Sequence, residues 1–191
     1  MSQREPDSNS MGYKAMQTRI SAIAELYDLI SHSARNGTVT ADGYLRGIAK
    51  TMSATLLGNA SDIKIEVDAE ALDIDPDKAV PFGLLVNELA TNAVKHAFPN
   101  GIGRVVLSAK RVGGDVALTV SDNGIGIGID TKDPDAAKAP QRRGFNYVTI
   151  FVRQLGGTIA VSPPNGAGTT VTIVLPQLGA PPPRTSERFA A

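Results

Sequence analysis

Cysteine is missing from all 191 residues, which excludes disulfides, thiolate metal sites and thiol catalysis and leaves the redox compartment open. Tryptophan is missing too, aromatic residues make up 5% of the chain, and the histidines number two, His32 and His96. Neither sign of charge is in excess. With 19 Lys and Arg against 19 Asp and Glu, there is no electrostatic footprint for nucleic acid or an anionic membrane, so any phosphate binding has to be local. No apolar run approaches the roughly 20 residues needed to span a bilayer, and Met1 to Ser10 lacks the apolar core of a signal peptide. The expectation is a soluble, cytoplasmic chain with no membrane and no nucleic-acid partner. Apolar residues, at 42%, are sufficient for one substantial core, and the length suits one main domain with a helical appendage.

Residues 1–11 are polar and residues 178–191 carry Pro181-Pro182-Pro183 among small and charged residues, so both ends read as disordered tails. Between them, residues 12–57 read as a helical, dimerisation-like region and linker, and residues 58–177 as the main domain. Met16, Ile20, Ile23, Tyr27 and Ile30 recur in steps of four and three, an apolar stripe of about two heptads. That stripe suits either a helix lying on its own domain or the seam of a homodimer. After Asn36-Gly37, Thr40 offers an N-cap for a helix burying Leu45, Ile48, Met52 and Leu56, which would stop near Gly58-Asn59. Ile63 to Val67 alternates as a half-buried strand, and a long helix is expected from Pro76 to Phe98. Two alternating stretches, Arg104 to Val112 and Val116 to Ser121, meet at Gly113-Gly114 as a hairpin. A loop from Asn123 to Arg143, a helix from Phe145 to Leu155, and strands at Thr158 to Val161 and Thr169 to Leu175 complete the expected order. Helices first, then strands and helices mixed, predict an α+β sandwich: a mixed sheet covered by helices and preceded by an N-terminal helix.

Four constellations carry chemistry. On the long helix, Glu88, Asn92, Lys95 and His96 share one face beside the apolar stripe Leu85, Leu89, Ala93 and Ala97. There Asn92 can hold a hydrated magnesium ion, Glu88 can orient or deprotonate a hydroxyl or water, and Lys95 can face phosphate. The same four residues also suit a solvated helix face. Directly after a strand comes Asp122-Asn123-Gly124-Ile125-Gly126-Ile127-Gly128, where glycines admit close backbone approach, isoleucines wall an apolar slot, and an aspartate can accept from an exocyclic amine such as that of adenine. Asp-Asn-Gly alone is equally a tight turn. Arg142-Arg143-Gly144 opens a helix, whose unpaired amides favour an anion. Gly166-Ala167-Gly168-Thr169 leads into the last strand, as an ordinary hairpin turn also does.

Together these motifs resemble the GHKL superfamily of Bergerat-fold ATPases, which holds sensor histidine kinases, type II topoisomerases, heat-shock ninety chaperones and the MutL mismatch-repair proteins. Leu85 to Ala97 is similar to the N-box of a histidine kinase, Asp122 to Gly126 to its first glycine box, and Gly168-Thr169 with the strand to Leu175-Pro176 to its terminal motif. Asn-Glu-Leu, Asn-Ala and Lys-His-Ala resemble the HWE-related branch, although without tryptophan a neighbouring branch fits better. The resemblance implies ATP and Mg2+ as ligands, with Asn92 on the metal, Asp122 reading the adenine amine, and Gly124, Gly126 and Ile127 shaping the pocket. It further implies Glu88 as base, Lys95 and His96 beside the phosphates, Thr169 at the pocket, and residues 127–143 as a lid bringing Arg142, Arg143 and Gly144 to the nucleotide. The implied partner is the receiver domain of a response regulator.

Two departures stand out. Arg142 occupies the first glycine position of the family's second glycine box, and the phosphoacceptor histidine with its flanking residues is not found. His32 reads as a helix-terminal histidine, on a helix resembling the second dimerisation helix, and His96 belongs to the N-box. The expected function is therefore the ATP-binding catalytic part of a histidine kinase that does not autophosphorylate by itself. The alternatives are a non-catalytic adaptor docking a receiver domain and an anti-sigma-type serine or threonine kinase.

Overall fold

A computed structural model describes residues 39–57, 62–126, 145–162, 168–176 and 178–179. Its elements are β1 (Val39–Thr40), α1 (Ala41–Leu56), β2 (Asp62–Ala69), β3 (Asp73–Ile74), α2 (Pro76–His96), β4 (Ile102–Val112), β5 (Asp115–Asp122), α3 (Phe145–Gln154), β6 (Thr158–Ser162) and β7 (Thr169–Leu175). The helix predicted from Met16 to His32, the turn at Gly58-Asn59 and the loop from Ile127 to Arg143 lie outside the described residues.

Five strands form a sheet in the order β2-β4-β5-β7-β6, with β2 parallel to β4 and the other neighbours antiparallel. The parallel pair is possible because α2 makes the crossover from β2 to β4. Cross-strand partners share a face of the sheet, and strand alternation sorts the side chains accordingly. Val105, Leu107 and Ala109 of β4, Val116, Leu118 and Val120 of β5, and Val171, Ile173 and Leu175 of β7 are all buried. Tyr44, Leu45, Ile48 and Met52 of α1, Phe82, Leu85, Val86 and Leu89 of α2, and Val148 and Val152 of α3 complete the same core. Each fully buried Val, Leu, Ile or Phe side chain contributes about 1.5–3 kcal/mol. This apolar layer therefore outweighs the solvent-exposed pairs Arg104–Glu66 (3.5 Å) and Lys110–Asp68 (2.7 Å) on the opposite face.

The expected α+β sandwich is the one observed, with differences that have physical causes. The helix expected to run to Phe98 ends at His96, with Ala97 as its C-cap, because Pro99 disfavours helical backbone at Phe98. Thr40 stands at the N-cap of α1 without a side-chain cap bond; the Ala41 N–H instead donates to the Leu72 carbonyl at 2.7 Å. α1 follows within the stretch expected as a dimerisation-like linker, yet its apolar face is part of the domain core. The β1–β3 pair, Val39↔Ile74 and Thr40↔Asp73, is too short for any alternation to reveal. Leu178, expected to begin the C-terminal tail, is 1% exposed, and its carbonyl accepts from the Asp75 N–H at 3.0 Å. Tyr44 stacks on Phe82 with centroids 6.2 Å apart. Burial pushes its phenol pKa up, and its hydroxyl is sealed with no partner among the described residues, which costs about 1–3 kcal/mol. Among the described residues no helix is long and apolar enough to cross a membrane.

Candidate functional site

α2 begins with two local signals, Asp75, whose side chain accepts from the Asp77 N–H at 3.0 Å, and Pro76 in the first turn. Its inner stripe, including Leu85, Val86 and Leu89, is buried against the sheet. Glu88 and Asn92 lie half-buried at its flank, one turn apart, while Lys95 and His96 are exposed in the last turn. The Lys95 ammonium also suits the negative end of the helix dipole. The Asn92 carboxamide Nδ2 is sealed from solvent with no hydrogen-bond partner among the described residues. An unsatisfied buried amide costs about 1–3 kcal/mol.

The other half of the site sits at one end of β5. The alternation Val116, Leu118, Val120 continues to Asp122, which pairs in register with Val105 and with Thr169 and is therefore on the helix-facing side of the sheet. A carboxylate thus takes the place of the next core residue. One of its oxygens, Oδ1, accepts from the Gly124 N–H at 3.0 Å, which holds the side chain in place. Beyond Asp122 the chain leaves the sheet toward α2. The Ile125 N–H donates to the Ala97 carbonyl at 2.9 Å, and Gly124 lies so close to Ala97 that a Cβ on it would overlap the Ala97 carbonyl oxygen. A Cβ on Gly126 would stand 2.8 Å from the Gly168 carbonyl oxygen, and one on Gly168 would overlap the carbonyl of Asp122. At the hinge, Asn123 makes two bonds to Arg104: its N–H donates to the Arg104 carbonyl at 3.2 Å, and its Oδ1 accepts from the Arg104 N–H at 2.7 Å.

Of the residues predicted to bind nucleotide, the fold brings together Asp122, Thr169, Gly124 and Gly126, and ties them through Ala97 to the end of the helix bearing Glu88, Asn92, Lys95 and His96. Ile127, Arg142, Arg143 and Gly144 lie outside the described residues. Asn123, Ala97 and the close approach of Gly168 to Asp122 were not read from sequence. A fold-wide contact has no local pattern, and Asn123 was hidden inside a motif that reads as a turn.

The donors present fit a magnesium nucleotide. Among the described residues no three His, Asp or Glu side chains converge on a metal position. A single carboxamide oxygen such as that of Asn92 is still an adequate protein contribution for magnesium, which keeps water and phosphate oxygens as its other ligands. Asp122 offers a fixed carboxylate to an amine donor.

Residues 77–179 match the family described as histidine kinase-, DNA gyrase B- and HSP90-like ATPase. The chain is 29% identical over 170 residues to blue-light-activated histidine kinase 2 of Erythrobacter litoralis, covering 86% of this chain and 47% of that one. It is 32% identical over 119 residues to the nitrate/nitrite sensor protein NarQ of Escherichia coli, covering 61% of this chain and 20% of that one. The solved histidine kinase domain of an Erythrobacter litoralis blue-light-activated kinase superposes with a TM-score of 0.65 at 30% identity, covering 82% of this chain and 73% of that one. The chain belongs to the histidine kinase-, DNA gyrase B- and HSP90-like ATPase family. Within that family its relatives are sensor histidine kinases, and it carries their type of ATP-binding catalytic domain. It spans less than half the length of these two full-length relatives.

Proposed function

We propose that this chain is the ATP-binding catalytic part of a cytoplasmic sensor histidine kinase. The observation that supports this reading is the joining, through Ala97, of a backbone-held carboxylate, Asp122, to the helix whose half-buried Asn92 stands one turn from Glu88. Asp122 would accept the adenine amine, and Gly124, Gly126 and Ile127 would shape the slot with Thr169 beside it. Asn92 would contribute one oxygen to Mg2+, which when bound neutralises phosphate charge. Lys95 and His96 would steady the phosphates from the end of α2, with Arg142, Arg143 and Gly144 on the lid side. The acceptor imidazole, neither His32 nor His96, forms its N–P bond as the β,γ-bridging P–O bond breaks and ADP leaves. Glu88 takes the proton that the imidazole sheds. Positioning and charge neutralisation carry most of such a transfer. The phosphoryl group would then pass to the receiver domain of a response regulator. By this reading the chain, without a separate acceptor, binds nucleotide and does not phosphorylate itself.

Calorimetric titration of ATP with and without magnesium tests the site. A hydrogen bond to a charged group contributes about 1.5–3 kcal/mol, so Asp122→Ala should weaken ATP by roughly 10- to 100-fold, and Asn92→Ala should abolish the magnesium dependence. An unaltered chain that binds no ATP would overturn the kinase reading in favour of an adaptor for a receiver domain. The stripe Ile20, Ile23, Tyr27 and Ile30 is proposed as the seam of a homodimer. Ile23→Asp should then halve the sedimenting mass, and an unchanged mass would refute the seam.

A further inference from the structure

We propose that Asn123 is the positioning residue of the glycine loop: it ends the β4–β5 ladder with its side-chain oxygen in place of its main-chain carbonyl, and so seats the loop against α2. The β4–β5 register runs from Val112↔Asp115 to Val105↔Asp122, which makes Arg104 and Asn123 the next pair. In a regular antiparallel sheet a hydrogen-bonded pair exchanges two main-chain bonds. Half of that exchange is present, because the Asn123 N–H donates to the Arg104 carbonyl at 3.2 Å. The other half is replaced. The Arg104 N–H donates to Asn123 Oδ1 at 2.7 Å, a side-chain oxygen standing in for the main-chain carbonyl.

The substitution has a mechanical consequence. The peptide linking Asn123 to Gly124 is released from the ladder and can turn out of the sheet while no strand donor is left unpaired. Three contacts depend on that turn: the Gly124 N–H on Asp122 Oδ1 at 3.0 Å, the Ile125 N–H on the Ala97 carbonyl at 2.9 Å, and the close seat of Gly124 on Ala97. Among the described residues of the loop, Ile125 is 69% exposed, so its side chain does not seat the loop. Without Oδ1, the main-chain carbonyl of residue 123 would swing in to satisfy Arg104. β5 would then lengthen by one residue and draw Gly124 away from Ala97. Asn123 itself is exposed, so its truncation opens no cavity in the core. Resting on the nucleotide reading above, the further consequence is that Asn123 sets the separation between Asp122 and the helix carrying Asn92 without touching either ligand.

Amide hydrogen exchange on the full chain, followed residue by residue, tests this in Asn123→Ala, Asn123→Asp and the control Val116→Ala, which weakens the far end of β5. In Asn123→Ala the Gly124 and Ile125 amides should exchange at least roughly ten-fold faster while Leu118 keeps its protection. Asn123→Asp keeps the acceptor oxygen and should restore Ile125. Undiminished Ile125 protection in Asn123→Ala, or a loss spread evenly along β5 as in Val116→Ala, would overturn the proposal. Titrating the same variants with Mg-ATP should show affinity falling with Ile125 protection in Asn123→Ala and not in Val116→Ala. If the unaltered chain binds no nucleotide, the kinase reading fails, and the Ile125 exchange rate still decides the role of Asn123.

Discussion

The two ends of strand β5 are built from the same materials, an aspartate and a pair of glycines, and they work under opposite constraints. At one end, Gly113 and Gly114 join Val112 to Asp115, and a Cβ added to either would meet nothing within 4 Å. Gly113 is needed for its φ of 62°, and Gly114 has no positive φ, so this end asks for a turn and nothing more. At the other end, Asp122, Gly124, Gly126 and Gly168 lie where three stretches of backbone touch, and an added Cβ would run into a carbonyl oxygen. The difference teaches that glycine content does not mark a functional loop. In the site loop the glycines cannot be replaced because another main chain occupies the space, whereas in the hairpin the space is open.

An alanine scan of the glycines can break or sharpen this contrast. The largest effect is expected for Gly168→Ala, where the overlap with the Asp122 carbonyl adds to a φ of 114°. Urea unfolding should show a loss of more than about 3 kcal/mol, together with loss of ATP binding. Gly113→Ala should cost about 1–2 kcal/mol for the left-handed backbone alone and leave ATP affinity unchanged. The smallest change, within about 0.5 kcal/mol, is expected for Gly114→Ala, which meets open space at a non-positive φ. Equal shifts in urea midpoint for Gly168→Ala and Gly114→Ala would show that the two ends are not differently constrained.

Much of the fold can be read along the chain because its signals are local. The alternation in Ile63 to Val67, the Gly113-Gly114 turn, Pro76 in the first turn of α2 and the strand Thr169 to Leu175 all appear within about one turn or one strand of sequence. The side of the sheet that Asp122 occupies is equally local, since period two carries it on from Val116, Leu118 and Val120. Pairings such as Val39 with Ile74, or Leu178 with Asp75, join residues with no periodic relation, and two-residue strands carry no pattern to detect.

The chain's residue order therefore settles the longer helices and strands, which of their faces are apolar, and where the carboxylate and carboxamide of the site are placed on their elements, because hydrophobic periodicity acts over a few residues. Folding in three dimensions settles how those groups are held. The bond from Arg104 to Asn123 spans 19 residues, and the seats of Gly124 on Ala97 and of Gly168 on Asp122 are close approaches of one main chain to another. Such contacts depend on the register and packing of whole elements, which no local pattern of side chains encodes.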